Sequence, residues 1–236
     1  MAQKTPRSRA VQLPPSDQTR AALVHAALKL FGAKGFEGTS TREIAALAKA
    51  NIGSIAYHFG GKGGLRAACA EHIVATIRGI AAPVVDAEEQ APAPRMGREA
   101  AQRRLRAVIE TMVSFLVGRP EAGEIAQFVM REMAHPSPAL DIIYRGVFEP
   151  LHKQFCRIWA AATGEDPESE LTRITIFMMI GQIVYFRIGR EVVKRRMGWS
   201  EIGAEEAARI ASVATGNLDA VLAARRTTAS DDGEEP

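Results

Sequence analysis

Between residues 38 and 62 the sequence GTSTREIAALAKANIGSIAYHFGGK crowds helix-start and helix-stop signals so closely that only two short helices and a tight turn fit. Ser40-Thr41-Arg42-Glu43 forms a capping box, in which the Ser40 hydroxyl accepts from the Glu43 amide and the Glu43 carboxylate reaches back to the Ser40 amide. The helix it opens buries Ile44 and Leu47 or Ala48. Asn51, a good N-cap residue, opens a second helix over residues 52–58. Gly60-Gly61 separates this from a third helix starting at Lys62. Upstream, a longer helix from near Ser16 sets Leu23, Ala26, Ala27, Leu30 and Phe31 on one apolar face at i, i+3, i+4, i+7 and i+8. It stops in the glycines of residues 32–35.

The rest of the chain obeys the same helical period. Helical segments are expected from Lys62 to about Ala82 and over residues 99–117, 121–134, 138–163, 168–196 and 204–225. Gly118-Arg119-Pro120 ends one helix and starts the next, while Ser137-Pro138 and Asp166-Pro167 each pair an N-cap residue with proline at the first helical position. No stretch has a convincing strand pattern, and aromatic residues make up only 6% of the chain. The expected fold is all-α, about nine helices in a chain of 236 residues. Four parts follow: a disordered basic arm (1–15), a three-helix helix-turn-helix domain (16–65), a helical body (66–226), and a disordered acidic tail (227–236). Residues 83–98 are expected as a loop or linker. The most apolar run, residues 174–186, is bracketed by Arg173 and Arg187. It falls short of the roughly 20 residues a spanning helix needs, so no membrane association is expected. Cys69 and Cys156 lack the spacing of a disulfide framework or metal site and read as buried free thiols, which suits a reducing cytoplasm. Neither a metal nor a cofactor is expected.

Charge is distributed unevenly. Residues 1–66 contain ten Lys/Arg and three acids, +7, leaving −4 for the remainder of a chain whose net charge is +3. A basic head on a mildly acidic body is the electrostatic footprint of a nucleic-acid binder, although a basic solvated tail has the same composition. The two short helices behind a longer packing helix have the layout of a helix-turn-helix. In that arrangement the second short helix enters the major groove of DNA, where each base pair offers a distinct donor–acceptor pattern. Ile55 and Phe59 stand at i, i+4 for the core, which leaves Gly53, Ser54 and Tyr57 for the outer face. Thr41, Arg42 and Lys62 lie at helix N-termini, where side chains and backbone amides meet phosphates.

Taken together, Thr19-Arg20, Ala26-Ala27, Leu30-Phe31, Gly35-Phe36, residues 39–45, Ile55, Tyr57-His58-Phe59, Lys62 and Leu65 resemble the TetR family of one-component bacterial regulators, over about 47 residues. The run from Ser54 to Lys62 is similar to the CecR-like subgroup. The resemblance implies phosphate contacts for Thr41 and Lys62 and a base or phosphate contact for Arg42. It implies a groove-facing set of Ile52, Gly53, Ser54 and Tyr57. Three positions depart from the family pattern: Lys49 holds the turn position usually given to glycine, Ala56 stands where a phosphate-contacting tyrosine is common, and Gly63-Gly64 replaces an acidic and small pair. For the body, the resemblance implies a small-molecule effector, a homodimer built on residues 168–196 and 204–225, and binding to palindromic double-stranded operator DNA. It further implies a repressor that the effector releases from its operator. Candidate pocket residues are Phe128, Arg131, Glu132, His135, Tyr144, Phe148, Trp159, Phe177 and Tyr185.

Two other functional classes compete with this reading. An enzyme lacks support, because no HExxH, GxSxG or paired-cysteine metal signature is present. The glycines around Lys62 fail as a phosphate loop, with Ala56 in place of the earlier glycine and Gly63 in place of Ser/Thr. A non-specific architectural DNA binder shares the basic head but has little need of a 170-residue body.

Overall fold

The computed structural model describes residues 14–85 and 96–231, with side chains placed as far as residue 225. The expected arm up to residue 13 and the end of the tail from residue 232 lie outside the described residues, as does most of the expected linker. Among the described residues every regular element is helical: α1 (Pro15–Lys34), α2 (Thr41–Leu47), α3 (Gly53–Phe59), α4 (Lys62–Val85), α5 (Arg98–Leu116), α6 (Glu121–Ala134), α7 (Pro138–Ile143), α8 (Glu149–Thr163), α9 (Glu170–Ile188), α10 (Arg190–Met197) and α11 (Ala204–Asp231). The segments expected over 138–163 and 168–196 are each divided in two.

The first division has a chemical cause. Pro150 has no N–H, so the carbonyl of Gly146 cannot receive its ordinary helical bond. A single π turn, Tyr144–Phe148, joins α7 to α8 there, and Arg78 of α4 donates to the Gly146 carbonyl at 2.8 Å. The second division falls at Gly189, which both ends α9 and precedes α10. At the chain's end the Thr-Thr-Ala-Ser run contains no glycine or proline stop, and α11 carries on past residue 226 to Asp231.

Two cores form. One lies in the body between α5, α8, α9 and α11, with Trp159, Ile158, Val113, Ile183 and Leu218 at its centre. The other starts with Leu23, Ala27 and Phe31 of α1, Ile44 of α2 and Ile55 of α3, and runs on through Leu65, Cys69 and Ile73 of α4 to Phe128 of α6 and Ile143 of α7. The three-helix head is therefore closed by helices of the body. Gly32 favours this: a Cβ there would come within 3.2 Å of the Gln127 Cβ and 3.3 Å of the Phe128 amide nitrogen, so a side chain would push α1 and α6 apart by a few tenths of an ångström. Both cysteines are buried free thiols, and burial pushes the Cys69 thiol up to about 12.

By length and composition, α4 and α9 are apolar enough to cross a membrane. The run expected to be short is embedded in the 19-residue α9. Both are nevertheless packing helices. α4 carries Arg66 and Arg78, each hydrogen-bonded to another helix. One face of α9 is held against the body core through Ile176 and Ile183.

Polar contacts fasten the head to the body. Arg66 of α4 donates to Glu132 of α6 at 2.7 Å, and the other Glu132 oxygen accepts from the Ser137 hydroxyl at 2.6 Å. The Glu132 side chain is 3% exposed. Arg131, the neighbouring residue, donates through Nε to the Gly32 carbonyl and through Nη2 to the Ala33 carbonyl at 2.6 Å.

The capping box forms as expected: Glu43 N–H donates to the Ser40 hydroxyl at 3.2 Å, and Ser40 N–H donates to the Glu43 carboxylate at 2.8 Å. Lys34 also donates to that carboxylate at 2.6 Å. The Lys34 hydrogen bond is the main cause, with the Ser40 bonds next, that lowers the Glu43 carboxyl from 4.5 to about 2.

Two outcomes follow from these contacts. Glu132→Ala leaves Arg66 and Ser137 without their acceptor and should cost about 3 kcal/mol, the low end for breaking a buried pair because Arg66 is partly solvated. Urea unfolding at neutral pH measures it. Because the Glu43 carboxyl is depressed in the folded state, its contribution is complete above pH 4.5 and fades as pH falls toward about 2. Glu43→Gln should lower the urea midpoint at pH 7 and flatten its decline through that window; parallel profiles for the two proteins would contradict the assignment.

Candidate nucleic-acid interface

The turn between α2 and α3 explains why a lysine can take a position usually held by glycine. Lys49 adopts a left-handed backbone, φ 51°, the only non-glycine described residue to do so. Its side chain is exposed beside that of Asn51. Asn51 then opens α3 by accepting the Gly53 amide on its side-chain oxygen at 2.8 Å, while Ile52 rather than Asn51 occupies the position before the first helical residue. Ile55 is buried against the head core and Phe59 packs on its edge. The opposite face of α3 is open: Ile52 and Gly53 are exposed, Ser54 is half-buried, and Tyr57 is 84% exposed.

Thr41 stands half-buried as the first residue of α2, and Arg42 is exposed next to it. Lys62 begins α4 with its ammonium 4.2 Å from the centroid of the Phe36 ring, and Arg66 stacks over the same ring at 4.7 Å. Phe36 is thus a shared platform for two cations at the mouth of α4, where backbone amides also point outward. Thr41, Arg42, Ile52, Gly53, Ser54, Tyr57 and Lys62 all lie on or beside the two short helices and the start of α4. Nothing in that set is lost to the core.

Sequence reasoning missed two contributors. Phe36 was legible only as a core residue, because its stacking partners come from a different helix. Thr39 is buried and donates to the Gly35 carbonyl at 2.8 Å and the Leu30 carbonyl at 3.2 Å, fixing the chain's exit from α1. A buried hydroxyl between two loops gives no periodic signal.

The nine candidate pocket residues do not converge. Phe128 is buried in the head core, 6.5 Å from Phe31 between ring centroids. Arg131 and Glu132 bind α1 and α4 as described, and His135 is exposed after α6. Tyr144 is exposed on the π turn, and Phe148 packs on the head core. Phe177 and Tyr185 face outward on α9, with Phe177 stacked on His152 at 4.0 Å. Trp159 alone borders the enclosed body cavity, of about 20 Å³, lined by apolar residues that include Leu105, Met112, Phe155, Met179 and Leu218. The reason is geometric: the polar residues that interrupt the middle helices are used to cap or pair with neighbouring helices.

Comparisons with known proteins identify the family. The family model described as bacterial regulatory proteins, tetR family, matches residues 23–69. The C-terminal domain model of the HTH-type transcriptional dual regulator CecR matches residues 101–225. The CecR protein of Shigella flexneri is 32% identical over 207 residues, covering 87% of this chain and 92% of that protein. Among solved structures, a transcriptional regulator from Pseudomonas aeruginosa PAO1 shares the fold at TM-score 0.65 and 20% identity, over 92% of this chain and 96% of the other. AibR, solved in complex with isovaleryl coenzyme A and operator DNA, shares it at TM-score 0.61 and 17% identity, over 84% and 96%. The head built on α1–α3, the helical body and these likenesses make the chain a DNA-binding transcription regulator of the TetR family, CecR-like, and not an enzyme.

Proposed function

We propose that this regulator works in the cytoplasm as a dimeric repressor, binding palindromic operator DNA through α3 and leaving it when a small apolar effector enters the body. The exposed face of α3, flanked by Arg42 and by Lys62 on its Phe36 platform, supports the DNA contact most directly. Small residues at Gly53 and Ser54 let the helix lie close to base edges, with Tyr57 and Ile52 supplying the larger contacts. Thr41, Arg42 and Lys62 hold phosphates and set the register. Lys49 and Asn51 join this surface from the turn. Phosphate contacts raise affinity for any duplex, whereas the α3 side chains discriminate among sequences.

A dimer is favoured by the outward face of α9. Ile174, Phe177, Met178, Tyr185 and Ile188 are all more than half exposed, an apolar surface of the kind that partner association covers. On α11 the division is sharper than the sequence suggested: Ile210, Leu218 and Leu222 serve the chain's own core, and Val213 faces out.

The cavity between α5, α8, α9 and α11 offers a place for the effector. Its walls carry no charge, which suits an uncharged, apolar molecule. Its present volume holds about one water-sized sphere, so entry requires Met112 and Met179 to swing aside, a motion their unbranched chains allow. Separation of α5 from α8 and α9 reaches the head through α6, whose Arg131 and Glu132 hold the end of α1 and the start of α4. Effector and operator then each weaken the other's binding by one common factor.

Fluorescence anisotropy with duplexes from the gene's own upstream region, at fixed salt and with random duplex as competitor, tests the reading. Two protomers should bind per palindrome with competitor-resistant affinity. Lys62→Ala should weaken every duplex alike and reduce the log–log salt slope by about 0.9. Ser54→Ala should instead change the preference among operator variants, by about 1–3 kcal/mol where a base contact is lost. Equal binding to all duplexes would favour an architectural role, and unchanged binding by both variants would reject this DNA surface.

A further inference from the structure

We infer that the dimer is aligned by a charged clasp, in which the acidic corner before and at the start of α9 meets the partner's basic α10 at both ends of an antiparallel α9 pair. The inference rests on the dimer reading above and adds direction, register and the residues that set them.

The outward stripe of α9 is nearly symmetric about its middle. With 3.6 residues per turn, Glu170, Ile174, Phe177, Gly181, Tyr185 and Ile188 all fall within about 40° of one line. Gly181 stands at the centre, exposed, and a Cβ placed there would meet nothing within 4 Å. If the two-fold axis passes at Gly181, antiparallel pairing sets Ile174 against the partner's Ile188 and Phe177 against the partner's Tyr185. Members of each pair match in exposure, 51% and 51% for the first, 64% and 51% for the second. Gly181 lets the two backbones cross closely.

The ends of the stripe carry opposite charge. Glu168 and Glu170 are exposed at its start, and Arg195 and Arg196 are exposed in α10 beyond its end. Among the described residues none of these four side chains makes an ion pair or side-chain hydrogen bond, Glu168 feeling only the more distant charge of Lys153, whereas an acid and a base near them are spent: Glu165 accepts from Trp159 and Thr172, and Arg190 donates to the Val117 and Ile202 carbonyls. Parallel pairing would set like charges together at both ends. Antiparallel pairing about Gly181 brings Glu168 and Glu170 to the partner's Arg195 and Arg196 twice, once at each end, as an isologous contact requires. The helix termini agree, since the positive start of each α9 then lies by the negative end of the partner's α10.

Sedimentation equilibrium of the full chain tests this at about 0.05 M and about 0.5 M NaCl, where screening differs strongly. The wild-type dimer should loosen at least tenfold at the higher salt. Glu168→Lys/Glu170→Lys and Arg195→Glu/Arg196→Glu, with helical circular dichroism confirming their fold, should each lose at least tenfold in self-association at low salt. The first variant is basic at both ends and the second acidic at both, so an equimolar mixture should form the heterodimer in preference to either homodimer. A wild-type dimer indifferent to salt, variants that self-associate as tightly as wild type, or a mixture without heterodimer preference would each overturn the clasp while leaving the dimer intact. A wild-type chain that stays monomeric at tens of micromolar would overturn the dimer reading itself.

Discussion

Arginine side chains from one helix hold the C-terminal carbonyls of another, and the arrangement of this protein depends on that contact. The last carbonyls of an α-helix have no partner within it and concentrate the negative end of its dipole. Here Arg131 of α6 takes those of Gly32 and Ala33 at the end of α1. Arg104 of α5 takes those of Val84 and Val85 at the end of α4. Arg187 of α9 takes those of Leu116, the last residue of α5, and of Arg119 just beyond it. A guanidinium fork presents two parallel donors, so each contact fixes a direction as well as a distance. Apolar packing is non-directional and would tolerate helices sliding along one another. These forks set where each helix ends relative to its neighbour.

The same chemistry determines how the head and body communicate. The head has no closed core of its own, since Phe128 and Ile143 of the body complete the cluster begun by Phe31 and Ile44. Movement of α6 must therefore either carry α1 with it or break the Arg131 fork and the Arg66–Glu132 pair. Both sit within two adjacent residues of one helix, so α1 and α4 respond together. The cations over Phe36 extend this line, because Arg66 shares that ring with Lys62 at the start of α4. A shift of α4 that disturbs the Glu132 pair also disturbs the platform on which Lys62, the proposed phosphate contact, rests.

What was legible in the sequence follows from which interactions are local. The capping box and the Ile55 face of α3 are set by residues within a few positions of one another, and the structure places them as the pattern implied. The all-helical fold and its approximate helix count were legible for the same reason. Long-range partners were not. Arg131 and Glu132 looked like polar interruptions suited to a pocket, but their partners are 99 and 66 positions away along the chain. Nothing near Phe177 or Tyr185 reveals that they point out of the fold, because an apolar stripe for a second copy has the same spacing as one for the chain's own core. The π turn at 144–148 was hidden too, although Pro150 marks the missing donor that explains it.

The two faces of α9 show why such a helix passes the length and hydropathy criteria for a membrane span. Ile176 and Ile183 belong to the body core, and Ile174, Phe177 and Ile188 to the outward stripe. A helix apolar on both its buried and its outward face lacks the polar face that normally marks a surface helix. Direction then has to be encoded elsewhere, since an apolar stripe symmetric about Gly181 packs against a parallel or an antiparallel copy with similar burial. Charges at its two ends remove that ambiguity at little cost to stability. For the proposed dimer that direction is what matters, because it fixes how the two copies of α3 are carried relative to each other.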